Sequence, residues 1–368
     1  MIKRTRIRKP PKIVPVTPPG ITIIENMRAL GLTQVDLAER MGRPIKTINE
    51  IIKSKALLTP DTALQLEHVL GIPASFWLTR EARYREYLAR KKEMSKLIDF
   101  VDTYKEFPIG ELVRFGWLEK HSNPIDGIRE LMDFFGVSSI DMWKMILEPV
   151  VVFRKSSNSE DNHMALAVWL RKGEIEASKI DCQPFNTDKF KSVLEIIRSF
   201  TTETPDVFVP KIQSYCTQAG VAVVFVRELP GTHAYGAIRW FQPDKAIIQL
   251  SSHYKSNDQF WFSFFHEVGH LLFDGKKRSF VDYEYNTDAV EERANTFASD
   301  YLIPQKEYDM FCRKTAPYFS KESVRQFANN LGLSPGIVVG RLQHDGLIEH
   351  KNLNQLKQYY TWPGKIMI

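Results

Sequence analysis

The chain has 368 residues, 43% of them hydrophobic and 26% charged, and a formal net charge of +6. That length exceeds one small core and suits two or three domains, and the composition is that of a globular chain rather than a disordered or fibrous one. No run approaches the roughly 20 apolar residues of a membrane span and no apolar stretch follows the basic N-terminus as in a secretory signal. Cys182, Cys216 and Cys312 are too scattered for a disulfide framework or a thiolate metal site, so the expected location is the cytoplasm.

Residues 1–20 carry Lys3, Arg4, Arg6, Arg8, Lys9 and Lys12, interleaved with Pro10, Pro11, Pro15, Pro18 and Pro19. They read as a flexible basic arm, able to lie along DNA or merely to aid solubility. From 21 to 80 the texture changes to short amphipathic helices. Ile21 to Leu30 is the first, ended by Gly31; Thr33 and Asp36 form a capping box for a second, which stops at Gly42. A third begins near Pro44 and places Ile48, Ile51 and Ile52 on one face. Its other face offers Lys46, Thr47, Asn49, Glu50 and Lys53, side chains able to bond base edges and phosphates. Thr59-Pro60 opens a fourth helix carrying Ala63, Leu64, Leu66 and Leu70. A helix pair joined at Gly42, dry inside and polar outside, makes a helix-turn-helix; the competing reading is a bundle that binds another protein.

The stretch Gly31-Leu-Thr-Gln-Val-Asp-Leu-Ala-Glu-Arg-Met-Gly42, followed by Lys46-Thr-Ile-Asn-Glu-Ile-Ile-Lys53, resembles the XRE family of regulators. The continuation Val69-Leu-Gly-Ile-Pro-Ala-Ser-Phe-Trp77 is similar to its HigA branch, whose members act as antitoxins and repress their own operons. The resemblance implies that Gln34 contacts a phosphate of a double-stranded operator and that Lys46, Thr47 and Asn49 read bases, in a homodimer. Ser54 stands where relatives often have glycine, which implies a strained turn after the recognition helix.

Residues 81–150 read as a helical connector. Arg83 to Glu93 forms a long charged helix with a solvated face, followed by shorter helices around Ile109 to Phe115 and Ile125 to Phe135. A second functional domain is expected over 151–310. Val221–Val226, Ala237–Trp240 and Lys245–Leu250 are strand-length apolar stretches bounded by Pro230-Gly231 and Pro243-Asp244, and together suggest a small antiparallel sheet. Asn257 to Phe273 then reads as a buried helix, with Asn257 or Asp258 as its cap and Gly275 as its end.

His266 and His270 are four apart on that helix and project from one face, able to present two imidazoles to one metal. Glu267, beside the first, can reach a water held there without itself ligating; this is the H-E-x-x-H arrangement of zinc peptidases. A second helix, Ala289 to Leu302, carries an apolar stripe of Ala294, Phe297, Ala298 and Leu302. Its small alanines allow a close approach, by which Glu291 would complete the site and Asn295 would orient a ligand; Glu292, about 100° round the helix, competes with Glu291. His233, His253, Tyr254 and Tyr283 are eligible to stabilise an oxyanion. The tail, 311–368, holds a second helix pair, Glu322 to Leu331 and Ser334 to Gln343, whose weak positive charge suggests packing against the preceding domain rather than DNA binding.

Phe260-Trp-Phe-Ser-Phe-Phe-His-Glu-Val-Gly-His270, with Glu291-Glu-Arg-Ala-Asn-Thr-Phe-Ala298 and Leu302-Ile-Pro304, resembles the ImmA/IrrE metallopeptidases over about residues 165–310. That likeness implies a gluzincin-like site in which His266, His270 and Glu291 hold Zn2+ and Glu267 serves catalysis. The expected fold is α+β and multidomain, an all-α helix-turn-helix domain followed by a mainly helical metallopeptidase domain with a small sheet. The expected function is a DNA-binding regulator whose zinc endopeptidase cleaves a regulatory protein: a repressor, an antitoxin or another copy of itself. The alternative is a HigA-type antitoxin and autorepressor that neutralises a partner toxin, with the zinc domain as sensor or scaffold.

Overall fold

The computed structural model describes residues 14–143, 145, 162–232, 235–251, 256–273 and 287–362. The chain divides into two compact units, Met1–Val101 and Asp102–Ile368. That single division runs through the stretch 81–150, which the sequence alone set apart as a connector.

The first unit is all helical: α1 (Pro19–Ala29), α2 (Gln34–Arg40), α3 (Ile45–Ile52), α4 (Pro60–Leu70) and α5 (Ala74–Asp99). Of the basic arm expected over 1–20, residues 1–13 lie outside the described residues, and its last two are helical. Pro19 is the first residue of α1, where proline's fixed φ and missing N–H cost nothing. Gly20 is buried against Ile52, whose carbonyl a Cβ would overlap. The Thr33 and Asp36 capping box is present, and Gly42, at φ +61, turns the chain out of α2. Pro44 is the N-cap of α3, one position ahead of the first turn expected for it. Ile23, Leu37, Ile48, Ala63, Leu66 and Trp77 form the core, and burying an aliphatic chain of this size contributes about 1.5–3 kcal/mol.

The charged helix expected to be merely solvated does more. In α5, Glu81 is buried and pairs with Arg85 at 2.7 Å. Arg85 Nη2 donates to the carbonyls of Ser54 at 3.2 Å and Ala56 at 3.1 Å, bracing the turn that follows α3. Ser54 itself sits at φ +56, in the left-handed region that costs a non-glycine residue about 1–2 kcal/mol.

The second unit begins within α6 (Val101–Lys105) and continues through α7 (Ile109–Arg114), α8 (Pro124–Phe135), α9 (His163–Ala177), α10 (Thr187–Arg198) and α11 (Pro205–Gln218). Strands β1 (Val221–Val226), β2 (Gly236–Gln242) and β3 (Lys245–Ser251) follow, then α12 (Asn257–Phe273), α13 (Thr287–Leu302), α14 (Gln305–Thr315), α15 (Lys321–Leu331) and α16 (Pro335–His344).

The sheet is mixed, in the order β1-β3-β2, and corrects the expected antiparallel one. β2 and β3 pair antiparallel across the Pro243-Asp244 turn, whereas β1 pairs parallel with β3, Val221 opposite Ala246 and Val226 opposite Ser251. The cause is visible in β1, which is buried at every position, as a strand covered on both faces must be. One face packs Val223, Phe225, Ile248 and Leu250 into a core shared with α11 and α12. On the other, Gln249 donates to the Trp169 carbonyl of α9 at 2.7 Å, and the buried Arg239 bonds Glu174 at 2.6 Å.

The tail helices enter that same core through Val324, Ala328, Val338, Val339 and Leu342. Asn257 and Asp258, expected as caps, are the first residues of α12 and spend their side chains on the tail. Asn257 Nδ2 donates to Ser334 Oγ at 2.7 Å, and Asp258 pairs with Lys357 at 2.6 Å. Arg198 donates to the carbonyls of Leu302 and Leu331, satisfying the C-terminal ends of α13 and α15.

Candidate metal centre and nucleic-acid interface

Helix α12 is buried on most of its surface because Phe260, Trp261, Phe264, Phe265 and Val268 all point into the core. Phe262, His266 and His270, spaced four apart, make a stripe that is only partly covered. Helix α13 crosses α12 where two small residues meet. A Cβ on Gly269 would stand 3.1 Å from Ala294 Cα, so any larger side chain there would push the helices apart.

That crossing brings Glu291 to the imidazoles. His266 Nε2 lies 3.0 Å from His270 Nε2, Glu291 Oε2 lies 3.2 Å from His266 Nε2, and Glu291 Oε1 lies 3.5 Å from His270 Nε2. The three ligand atoms all fall within 4.8 Å of one another. His266 Nδ1 is 2.9 Å from Asn295 Oδ1, so with the ring proton on Nδ1 this contact leaves the Nε2 lone pair for the cluster. Two such nitrogens at 3.0 Å repel unless a proton or a cation lies between them. Two imidazoles with one carboxylate are a donor set that zinc takes while keeping a further position free, so these residues fit the ion. When the imidazoles are protonated, hydrogen bonds from His266 and His270 hold the Glu291 carboxyl well below the usual carboxylate range.

Glu292 is not part of this cluster. It lines a groove with Phe273, Arg293, Thr296 and Phe297. Glu267 is buried at the cluster's edge; burial pushes its carboxyl up, while the neighbouring His266 and His270 oppose the shift. Of the oxyanion candidates, His233, His253, Tyr254 and Tyr283 all lie outside the described residues, as does Gly275.

Sequence reasoning missed Gly236. A Cβ on this first residue of β2 would fall 2.7 Å from Glu267 Cγ and 2.8 Å from its Cδ. The absent side chain is thus the space in which the carboxylate stands. The only sequence signal was a glycine opening a strand, where close approach of another group is a common reason for one.

In the first unit, Lys46 and Lys53 are exposed and Thr47 and Asn49 half-exposed, opposite the buried Ile48 and Ile51 of α3. Gln34 is the first residue of α2, where the helix N-terminus favours an anion. Two apolar residues not foreseen there, Val35 and Ile45, are 50% and 44% exposed at the starts of α2 and α3. Such chains suit the thymine methyl group in a major groove.

Among the described residues no helix is long and apolar enough to cross a membrane. Residues 23–77 match the helix-turn-helix family and residues 219–343 the IrrE N-terminal-like domain family, the latter match taking in α14, α15 and most of α16. The chain is 32% identical over 68 residues to virulence-associated protein A of Dichelobacter nodosus, which spans 18% of this chain and 67% of that protein. A solved addiction module antidote protein of the HigA family from Coxiella burnetii is 26% identical, over 23% of this chain and 95% of its own, with a TM-score of 0.22.

Proposed function

Because the chain belongs to the XRE-type helix-turn-helix regulators through residues 23–77 and carries an IrrE-like peptidase-family domain at 219–343, we propose that it is an operator-binding regulator and a zinc-dependent endopeptidase that cleaves another regulatory protein or a second copy of itself. The observation that carries this reading is the convergence of His266, His270 and Glu291, with the buried Glu267 carboxylate fitted beneath Gly236.

In this reading His266, His270 and Glu291 hold the metal, and Asn295 keeps the His266 ring turned toward it. Zinc, when bound, supplies a Lewis acid that polarises a peptide carbonyl and makes water a better nucleophile at neutral pH. Glu267 accepts the water's proton and delivers it to the departing amine, a role worth about 10²–10⁴-fold in rate. β2 pairs only with β3 among the described residues. Its free edge suits an extended peptide, bound by main-chain hydrogen bonds, so the preferred target is an unfolded or looped segment of a protein. The polar face of α3 brings this activity to operator DNA, where the regulators to be cleaved are also found.

The test is to express the protein and its Glu267→Gln variant and compare all cellular proteins for a fragment. The expected result is a regulator-derived fragment with the former alone. Identical patterns, together with unchanged repression, would favour the second reading, an antitoxin-like repressor whose metal domain is a scaffold.

A further inference from the structure

The stripes of α12 and α13 that meet at the metal donors continue beyond them. His266 and His270 face Glu291, and His266 also faces Asn295. One turn before His266 stands Phe262, one turn after Asn295 stands Ser299, and these two line the same cavity of about 280 Å³. The tail supplies another wall through Ile337 and Gly340 of α16. Gly340 is what lets α16 come so near, because a Cβ there would fall 2.6 Å from Asp258 Oδ2. The tail helix therefore does more than pack on the preceding domain: it shapes a hollow that is continuous with the groove holding the metal donors.

The walls decide what the hollow accepts. Asp258 pairs with Lys357 at 2.6 Å and Arg341 with Asp345 at 2.8 Å, so the charges around it are already matched. Gln343 donates to the carbonyls of His350 at 3.1 Å and Asn352 at 2.9 Å. What is left for an occupant is the apolar surface of Phe262, Ile303 and Ile337. The volume falls short of most small-molecule sites and suits a single large side chain. Phe262 joins the hollow to the metal centre, its ring standing 6.2 Å, centroid to centroid, from that of His266. The two residues are about 6 Å apart along the helix axis, and an extended peptide advances about 3.3 Å per residue.

Resting on the peptidase reading above, we propose that this cavity receives a large apolar side chain of the protein substrate, Leu, Met or Phe, from a residue within about two of the scissile bond. Ile337 of the tail helix, with Phe262 and Ser299, sets that preference. Such side chains are mostly buried in a folded regulator. The protein therefore cuts a target where a loop or a loosened segment displays one.

The test measures binding, apart from turnover. Fluorescein-labelled Gly-Ala-Ala-Xaa-Ala-Ala-Gly peptides, with Xaa as Leu, Met, Phe, Ala, Glu or Lys, are titrated with the full-length Glu267→Gln variant and Zn2+ and followed by anisotropy. Leu, Met or Phe binds at least tenfold tighter than Ala, Glu and Lys. Adding Ser299→Phe, which fills the cavity from its α13 wall, removes that preference while the melting midpoint stays near that of the parent. Should this variant fail to fold, Ile337→Ala, which enlarges the cavity, shifts the preference toward a Trp peptide. Equal affinities, no binding of any peptide, tighter binding of Glu or Lys, or a preference that survives both variants overturns the proposal. Its failure is distinct from that of the peptidase reading: a preference for Leu, Met or Phe without cleavage by the parent supports the cavity and sinks the peptidase, whereas cleavage without preference does the reverse.

Discussion

The α12 and α13 pair closes at Gly269 and the α2 and α3 pair is joined by a turn at Gly42, yet the two pairs direct their polar residues in opposite ways. In the first, Gly269 against Ala294 lets the helices close until His266, His270, Glu291 and Asn295 share one spot. In the second, Ile48 and Ile51 turn inward and Lys46, Thr47, Asn49 and Lys53 are left for solvent or a groove. A converging site fails as a whole when one member moves; a divergent face loses its contacts one at a time.

The most damaging test of that contrast is His266→Ala. Removing one of three donors leaves the purified protein without stoichiometric zinc, read by elemental mass spectrometry, and cleavage falls to background. Gly236→Ala comes next. Its methyl group forces Glu267 aside with His266, His270 and Glu291 intact, so zinc content stays at the parent value while the cleavage rate drops by about 100-fold, the cost of a displacement near 1 Å. Retained activity in this variant would show that Glu267 is not the proton carrier. Asn295→Ala frees the His266 ring to rotate and lowers zinc affinity about 10–100-fold in a competition titration.

On the divergent face the effects separate. Asn49→Ala costs about 1–3 kcal/mol at one operator position and relaxes the choice of base there, whereas Lys53→Ala weakens all sequences alike and lowers the salt slope by about 1. The smallest effect belongs to Ser54→Gly. It removes a left-handed serine whose Oγ is buried without a partner among the described residues, and raises the stability of the first unit by about 0.5–1 kcal/mol.

What could be seen in the sequence follows the same contrast. Helical spacing alone brings His266 and His270 together, and capping chemistry alone places Thr33, Asp36 and Gly42, because each depends on residues within a turn or two. Glu291 was legible only as one of two neighbours; the crossing of α12 and α13, a tertiary fact, separates it from Glu292. The parallel pairing of β1 was missed because turn signals favour hairpins, although its unbroken apolar run already pointed to a strand covered on both sides. Gly236 and Arg85 escaped for a simpler reason: each acts on a residue far along the chain, and neither type at its position announces what it will touch.

Arg85 carries a consequence for where the molecule could be cut. The guanidinium that holds the Ser54 and Ala56 carbonyls lies within α5, past the Trp77 side chain that completes the helical core. Scission anywhere beyond Asp99 would release a DNA reader with its support intact, still able to occupy an operator. Scission between Trp77 and Arg85 would leave a remnant whose turn after α3 has lost its strut, so the position of the cut decides whether the helix-turn-helix face outlasts removal of the second unit.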